Sequence, residues 1–491
     1  MRPSYWPRLA VLGVAALSTA VVFAQFAGVR PVPVDYVAGW DAMDEGTARK
    51  YLEVVAGEEF AGRGTGQKGY LKAADWVAGK FKEYGLKPVM PDGSYFQMVP
   101  FTEWASDPSS TMEGPGGMKL SPGDNFDSSG VRADFSGEGP ISIFSGSAAN
   151  LIFTAENAKG RIVIVDSADA TRRQMGAATR AGAVAVIHVL KKADGSAMVS
   201  YGHDAQARGG GGGQQAGVRF QMSRARYADL RSAIGAKDGV SVFSSDQRIK
   251  ISWKITKKNI GIPNVIGRLE GTDPKLKDEF IGIGCHLDHM GVSDGRIFYG
   301  ADDDGSGTVA MVLAARGFAS NPVKPKRSIV FMAFAAEEMG LLGSRYMANN
   351  MPESLPLDKM SCLLQMDMVG RNEEHGDEKA SENVDTIHLV GSKRISTELH
   401  ELTLKANEHI GFKFEYDQED VYTRSDHAMF AEKGVPITFV FSGFHPDYHQ
   451  PSDTIEKINF KKLVSAARLN YLVGQWAGSQ PSLLKREVTG G

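Results

Sequence analysis

Glu279-Phe280-Ile281-Gly282-Ile283-Gly284-Cys285-His286-Leu287-Asp288 is an apolar run of strand length that ends on an imidazole and a carboxylate. A strand without polar alternation predicts burial on both faces, as in a parallel sheet packed between helices. The pattern recurs downstream. Ser328–Ala335 reads as an apolar strand and leads into Glu337-Glu338, while Cys362–Met366 leads into Asp367. Thr386–Val390 and Pro436–Phe441 are further strands. Helical spacing separates them over Thr308–Phe318, 395–410 and 460–476. This alternation predicts an α/β fold with a mainly parallel central sheet and helices on both faces. Such sheets bind ligands outside the carboxyl ends of their strands, and His286, Glu337-Glu338 and Asp367 fall there.

Two more segments carry ligand-type residues. One is Gly300-Ala301-Asp302-Asp303-Asp304-Gly305-Ser306-Gly307, and the other is Tyr448-His449-Gln450-Pro451-Ser452-Asp453-Thr454. Imidazole and carboxylate donors from separate elements suit zinc. A paired-metal site needs one carboxylate between the ions and makes bridging solvent acidic enough to attack a peptide bond. Hydrolysis is the first reading. An acidic turn or a calcium-loop fragment competes for Asp302–Gly305. The calcium pattern, however, wants alternating carboxylates and a terminal Glu, which Ser306-Gly307-Thr308 breaks.

Length and composition bound the rest. A chain of 491 residues exceeds one ordinary core, and 42% hydrophobic with 23% charged residues is a globular composition. A net charge of −3 gives no basic face for nucleic acid. Arg2 and Arg8 precede an apolar stretch from Leu9 to Ala24, and Val22-Phe23-Ala24 is a small-residue cleavage signal. Residues 1–24 read as a secretory signal peptide, with an uncleaved membrane anchor as the competing reading. Export to a periplasm or the exterior follows, with no membrane contact in the mature form. Cys285 and Cys362 lie at opposite ends of their strands, and that offset exceeds disulfide reach. Both read as buried free thiols.

In the first half, Tyr70, Ala74, Val77, Phe81 and Tyr84 recur at helical spacing, and Gly85 is placed to end that helix. Gly62-Arg63-Gly64-Thr65-Gly66 reads as a structural loop, because no Gly-Lys-Ser/Thr follows to make a phosphate cradle. Residues 106–140 read as irregular. Arg161–Val165, Ala177–Ala181 and Ala183–Leu190 form a small βαβ-like unit, and His188 within it is a core histidine. Gly209–Gly213 is not expected to be ordered by itself. The polar stretch 479–491 reads as a flexible tail, and His375, His400 and His409 as surface positions.

Taken in order and spacing, these motifs resemble the secreted dizinc aminopeptidase family, whose relatives include glutamate carboxypeptidase and the transferrin receptor. The resemblance implies a peptidase domain over 40–118 and 258–478. Residues 119–257 are similar to a protease-associated domain inserted within it. It further implies two Zn2+ per chain. His286, Asp303 and Asp367 would hold one ion, Glu338 and His449 the other, with Asp303 bridging. Asp288 would bond the free imidazole nitrogen of His286, and the Asp303–Asp304 peptide would be cis. Glu337 would be the general base of a metal-bridging hydroxide. Tyr422 matches a substrate-facing tyrosine of some relatives, and His445 is a candidate for the pocket wall or for a supporting place behind the ligands, since Pro446 makes a helix carrying both His445 and His449 improbable. Cobalt or manganese could occupy the same ligands.

The implied activity is removal of N-terminal residues from peptides, the peptide substrate being the partner the sequence points to. A dizinc carboxypeptidase is the alternative, with Arg371 and Arg424 near the motifs to receive a terminal carboxylate. Asp304 stands where relatives of that kind tend to have proline. A glutaminyl-cyclase-like transferase and a non-enzymatic binding protein remain weaker readings, because every ligand position for two metals is filled. No Gly-x-Ser-x-Gly elbow is present.

Overall fold

The computed structural model describes residues 29–487 apart from 129–130, 168–169, 191–199, 203–217, 238, 294–295 and 417–420. The signal-peptide segment and the Gly209–Gly213 run lie outside the described residues. Ten strands build the central sheet, of which Lys87–Pro88 and Ser200–Gly202 are short and the other eight are β1 (Phe96–Ser106), β2 (Ile255–Leu269), β3 (Phe280–His286), β4 (Ser328–Phe334), β5 (Met360–Met366), β6 (Thr386–Val390), β7 (Lys413–Tyr416) and β8 (Ile437–Phe441). Their lateral order is β7-β6-β8-β5-β3-β4-β2-β1, with the short strand Ser200–Gly202 beyond β1.

The centre is parallel, as expected: β8 with β5, β5 with β3, and β3 with β4. The flanks are not. β2 runs antiparallel to both β4 and β1, and β6 runs antiparallel to β8. All residues of β3, β4 and β5 are buried, which explains their unbroken apolar sequences.

Helices α1 (Lys68–Glu83), α2 (Gly305–Ser320) and α3 (Phe460–Ala477) cover one face. Their Val77, Val309, Phe318 and Leu463 share a core with Ile281, Ile283 and Cys285 of β3. The opposite face packs Phe280, Met332 and Met360 against Met347 and Phe430 from short helices. Position 282 faces this layer and has room only for glycine: a Cβ there would lie 2.5 Å from Met360 Cε and 2.6 Å from Met332 Cε. Cys285 and Cys362 are buried and free, as expected. Cys362 registers with Ile281, at the far end of β3 from Cys285.

A second, eight-stranded sheet takes all its strands from between Thr111 and Trp253, with a core around Phe126, Phe220 and Trp253. It begins ahead of the expected boundary at 119. The stretch expected to be irregular contributes Thr111–Gly114, Met118–Leu120 and Phe126–Ser128. The first and third pair with remote strands, Val242–Trp253 and Arg219–Ser223, and Met118–Leu120 pairs with Thr111–Gly114. The βαβ-like unit is present, with Ile162–Asp166 parallel to Ala185–Leu190. The chain leaves the central sheet at Ser106 and returns at Ile255, and these two residues are register partners. The Asp107 amide donates to the Lys254 carbonyl at 2.9 Å.

The stretch expected to be a flexible tail is docked as far as residue 487. Leu484 is buried in the main core, its amide donates to Ser361 Oγ, and Glu487 accepts from the Thr397 amide and hydroxyl. Buried apolar area and satisfied polar groups hold a segment whose composition alone reads as loose. Among the described residues no helix is long and apolar enough to cross a membrane.

Candidate metal centre

Five loops at the carboxyl ends of the central strands converge on one point. His286 closes β3, and its Nε2 lies 3.3 Å from Asp303 Oδ1 and 3.4 Å from Asp367 Oδ1. His449 Nε2 lies 3.0 Å from Asp303 Oδ2 and 3.1 Å from Glu338 Oε2. One oxygen of Asp303 therefore faces each donor group. The residues expected as ligands are brought together, and the Asp303–Asp304 peptide is cis.

Local structure explains each placement. Asp304 caps α2 by accepting from the Gly307 amide, and also accepts from the amides of His286 and Met368. Its carboxylate, though close to His286 and Asp367, is thus committed to backbone. Asp453 accepts from the amides of Asp302 and Asp303, stitching the His449 segment to the Asp303 loop. After β4 the backbone turns irregular, with Ala336 at φ 56°. That turn lets Glu337 and Glu338 approach the same site, whereas strand neighbours would point to opposite faces. Glu337 lines the pocket beside His286 and Asp367.

Four expected placements differ in the structure. The Asp288 carboxylate does not reach His286 Nδ1, from which it stands 3.9 Å away. Nδ1 instead faces the Asp288 backbone carbonyl at 3.1 Å. The carboxylate accepts from Thr65 Oγ1 at 2.7 Å and from the Glu337 amide at 3.0 Å, so its oxygens are already engaged. His445 is buried with Nε2 3.2 Å from Asp302 Oδ2, behind the ligand loop and away from the pocket lining. Tyr422 also lies off the lining, under Arg394 and edge-on to His427, and Val421 and Arg424 take its expected place. His400, expected at the surface, is buried with Nδ1 2.9 Å from Ser392 Oγ. His427 is buried, its Nε2 donating to the Tyr422 carbonyl at 2.6 Å, and burial pulls its imidazole down to about 3.

The electrostatics call for positive charge. Burial pushes the Glu337 carboxyl well above the usual range, with His286 opposing and Asp367 adding to the shift. Burial likewise lifts Asp288 to about 6 and Asp426 to about 8. Burial alone would pull His449 down, but its contacts with Asp303 and Glu338 raise it to about 10. So many anions gathered out of water need cations among them. The donor set meets the test for divalent metal: imidazole nitrogens and carboxylate oxygens at ligand spacing. In addition, Glu338 Oε1 and both ring nitrogens of His289 are buried without a hydrogen-bond partner among the described residues.

Arg63 is the residue that sequence reasoning missed most clearly. It is fully buried, and donates to the carbonyls of Leu287, Val55, Tyr299 and Gly300 at 2.8–3.0 Å. It thereby ties the loop after β3 to the loop that enters α2. Arg63→Ala strands those buried carbonyls, at about 1–3 kcal/mol for each one that water does not reach. The expected result is destabilisation of about 4 kcal/mol or more, read as a lowered denaturant midpoint. A midpoint unchanged from wild type would rule this out.

Beside the donors, Met368, Val421, Phe439, Phe441, Phe444 and Tyr448 wall a pocket that Arg424 also lines. The Arg424 guanidinium lies 4.9 Å from the Phe444 ring centre and donates to Tyr448 Oη at 3.4 Å.

Aminopeptidase YwaD of Bacillus subtilis is 32% identical over 213 residues, 42% of this chain and 42% of its own. Leucine aminopeptidase 1 of Sclerotinia sclerotiorum is 31% identical over 209 residues, 40% of this chain and 52% of its own. The chain thus spans about half, or less, of the length of these relatives. The structure of BSAP, a zinc aminopeptidase from Bacillus subtilis, aligns with 88% of this chain and 94% of its own at a TM-score of 0.55. At 22% identity that likeness is one of fold. The model of peptidase family M28 matches residues 264–473, a span that holds every proposed donor. Over those residues the chain is similar to peptidase family M28.

Proposed function

We propose that this protein is a metallo-aminopeptidase that removes N-terminal residues from peptides with two zinc ions per chain. The observation that carries this reading is Asp303, whose two oxygens face two separate donor groups. His286 and Asp367 would complete one ion's ligands with it, and Glu338 and His449 the other's. When bound, paired zinc supplies polarisation of the scissile carbonyl and an acidified water. Glu337 takes the proton of the attacking water and returns it to the leaving amine. Its amide is held by Asp288 and Asp288 by Thr65, so the base has a fixed aim. The apolar wall from Met368 to Phe444 receives the first side chain. The direction of cleavage draws on the relatives, which are named aminopeptidases.

A carboxypeptidase reading draws on Arg424, a cation at the pocket for which no carboxylate partner is found among the described residues. Matched dipeptides separate the two. Cleavage of C-terminally amidated dipeptides, with N-blocked ones untouched, is the expected result, and the reverse pattern would establish the carboxypeptidase. Within the amidated set, Leu or Phe in first position should exceed Asp by at least about tenfold in kcat/KM, because an apolar pocket leaves a carboxylate unpaired. Equal rates would remove the apolar wall as the determinant.

We further propose that the second sheet is the inserted domain, and that residues 1–24 direct export and are removed. Mass spectrometry of the secreted protein's N-terminus tests the latter, and an intact Met1 would refute it.

A further inference from the structure

His289 lies three residues past His286, beyond the donors that the motifs supply. We infer that it is an additional imidazole ligand on the Glu338–His449 side. That side would then hold its ion with four protein donors, against three on the His286–Asp367 side. The inference rests on the two-metal reading above.

Burial is the first argument. His289 is 2% exposed, yet neither ring nitrogen has a hydrogen-bond partner among the described residues. A buried imidazole left so is costly unless something else takes its lone pair. Spacing is the second. His289 Nδ1 lies 2.8 Å from Glu338 Oε1 and 3.6 Å from Asp303 Oδ2. Four tetrahedral donors at zinc–ligand distances stand about 3.3 Å from one another, and these values bracket that figure. The donor atoms of His289, Asp303, Glu338 and His449 all lie within 4.8 Å of one another. Direction is the third. At 2.8 Å an aligned N–H would make an ordinary hydrogen bond to Glu338, but the two atoms are in contact without one. Nδ1 is therefore not aimed along the line to that oxygen.

The ring is also built into place. The His289 amide donates to the Arg63 carbonyl at 3.2 Å. Gly300 backs the imidazole so closely that a Cβ there would stand 2.5 Å from His289 Cγ and Cδ2. The contrast is the cluster Glu373–His388–Glu415. There the two carboxylates sit on opposite ring nitrogens, at 2.8 Å from Nε2 and 3.6 Å from Nδ1. His388 Nε2 already makes a hydrogen bond with Glu373 Oε2, so that imidazole, unlike His289, has a protein partner.

Unequal donor counts make the two sites unequal in behaviour. The four-donor side is closed in the manner of a structural zinc site, while the three-donor side keeps a position for water or substrate. The ion on the His286–Asp367 side should leave first during chelation.

The test uses the full chain, stripped by chelation and titrated with Co2+ and Zn2+. Metal content is read by plasma mass spectrometry, and the imidazole count by zinc-edge X-ray absorption. Wild type should bind two ions in separable steps, with three imidazoles shared between them. His289→Ala should weaken the tighter step by at least about 100-fold, beyond the effect usual for a residue that only orients a ligand, and should lower the imidazole count to two. Two ions with only two imidazoles in wild type would overturn the inference and leave the two-metal reading intact. One ion or none in wild type would overturn both. The wild-type count holds even if the variant fails to fold.

Discussion

Glu337→Gln should lower kcat by about 100- to 10,000-fold while both ions stay bound. The substitution keeps the volume and removes only the capacity to accept a proton. Glu337 lies on the pocket lining with His286, Asp303 and Asp367, and its amide is fixed by Asp288. Burial already raises its carboxyl, and a neighbouring cation would draw it back toward neutrality, where a proton acceptor and donor works best. Two readouts are required: kcat on an amidated dipeptide, and metal per chain. A fall of less than about tenfold with full metal would remove Glu337 from the proton transfer.

The second large effect concerns Asp303. Asp303→Asn should leave the protein unable to hold two ions, with activity below detection. An amide offers one oxygen in place of two and carries no charge to screen ions about 3.5–4 Å apart. Both Asp303 oxygens are engaged, at 3.3 Å from His286 and 3.0 Å from His449. Glu338→Gln and Asp367→Asn touch one side each and should weaken one ion only. Metal analysis after dialysis decides the matter, and a second ion retained in Asp303→Asn would show that another group bridges.

Much of this site is legible in sequence because its ligands sit where strands end. His286 and Asp367 each follow an apolar run, and that register is a local property of the chain. Partnership across distance is not local. Arg63 sits in a glycine-rich loop and donates to carbonyls 224, 236 and 237 residues away, so nothing near it in sequence announces its role. Asp288 shows the same limit in miniature. Its place beside His286 is readable, but which of its oxygens is free depends on Thr65 and Glu337. His289 and His445 differ by contacts alone: the first meets Glu338 and Asp303, the second Asp302. The antiparallel flank escaped for a related reason. β1 pairs along its whole length with Ile255–Val265 of β2 although more than a hundred residues lie between the two strands.

The pairing of Ser106 with Ile255 has a consequence for the chain's modularity. β1 and β2 are the two arms of a hairpin, and the second sheet occupies the place of its turn. Joining Asp107 to Lys254 through a short Asn-Gly turn would close that hairpin in the usual way. The shortened chain would keep the pairing of β1 through β8 and lose only the Ser200–Gly202 strand at the rim. Stripped of that cover, Thr102–Trp104 would present an open edge to other chains. The graft therefore shields a border of the sheet that carries it.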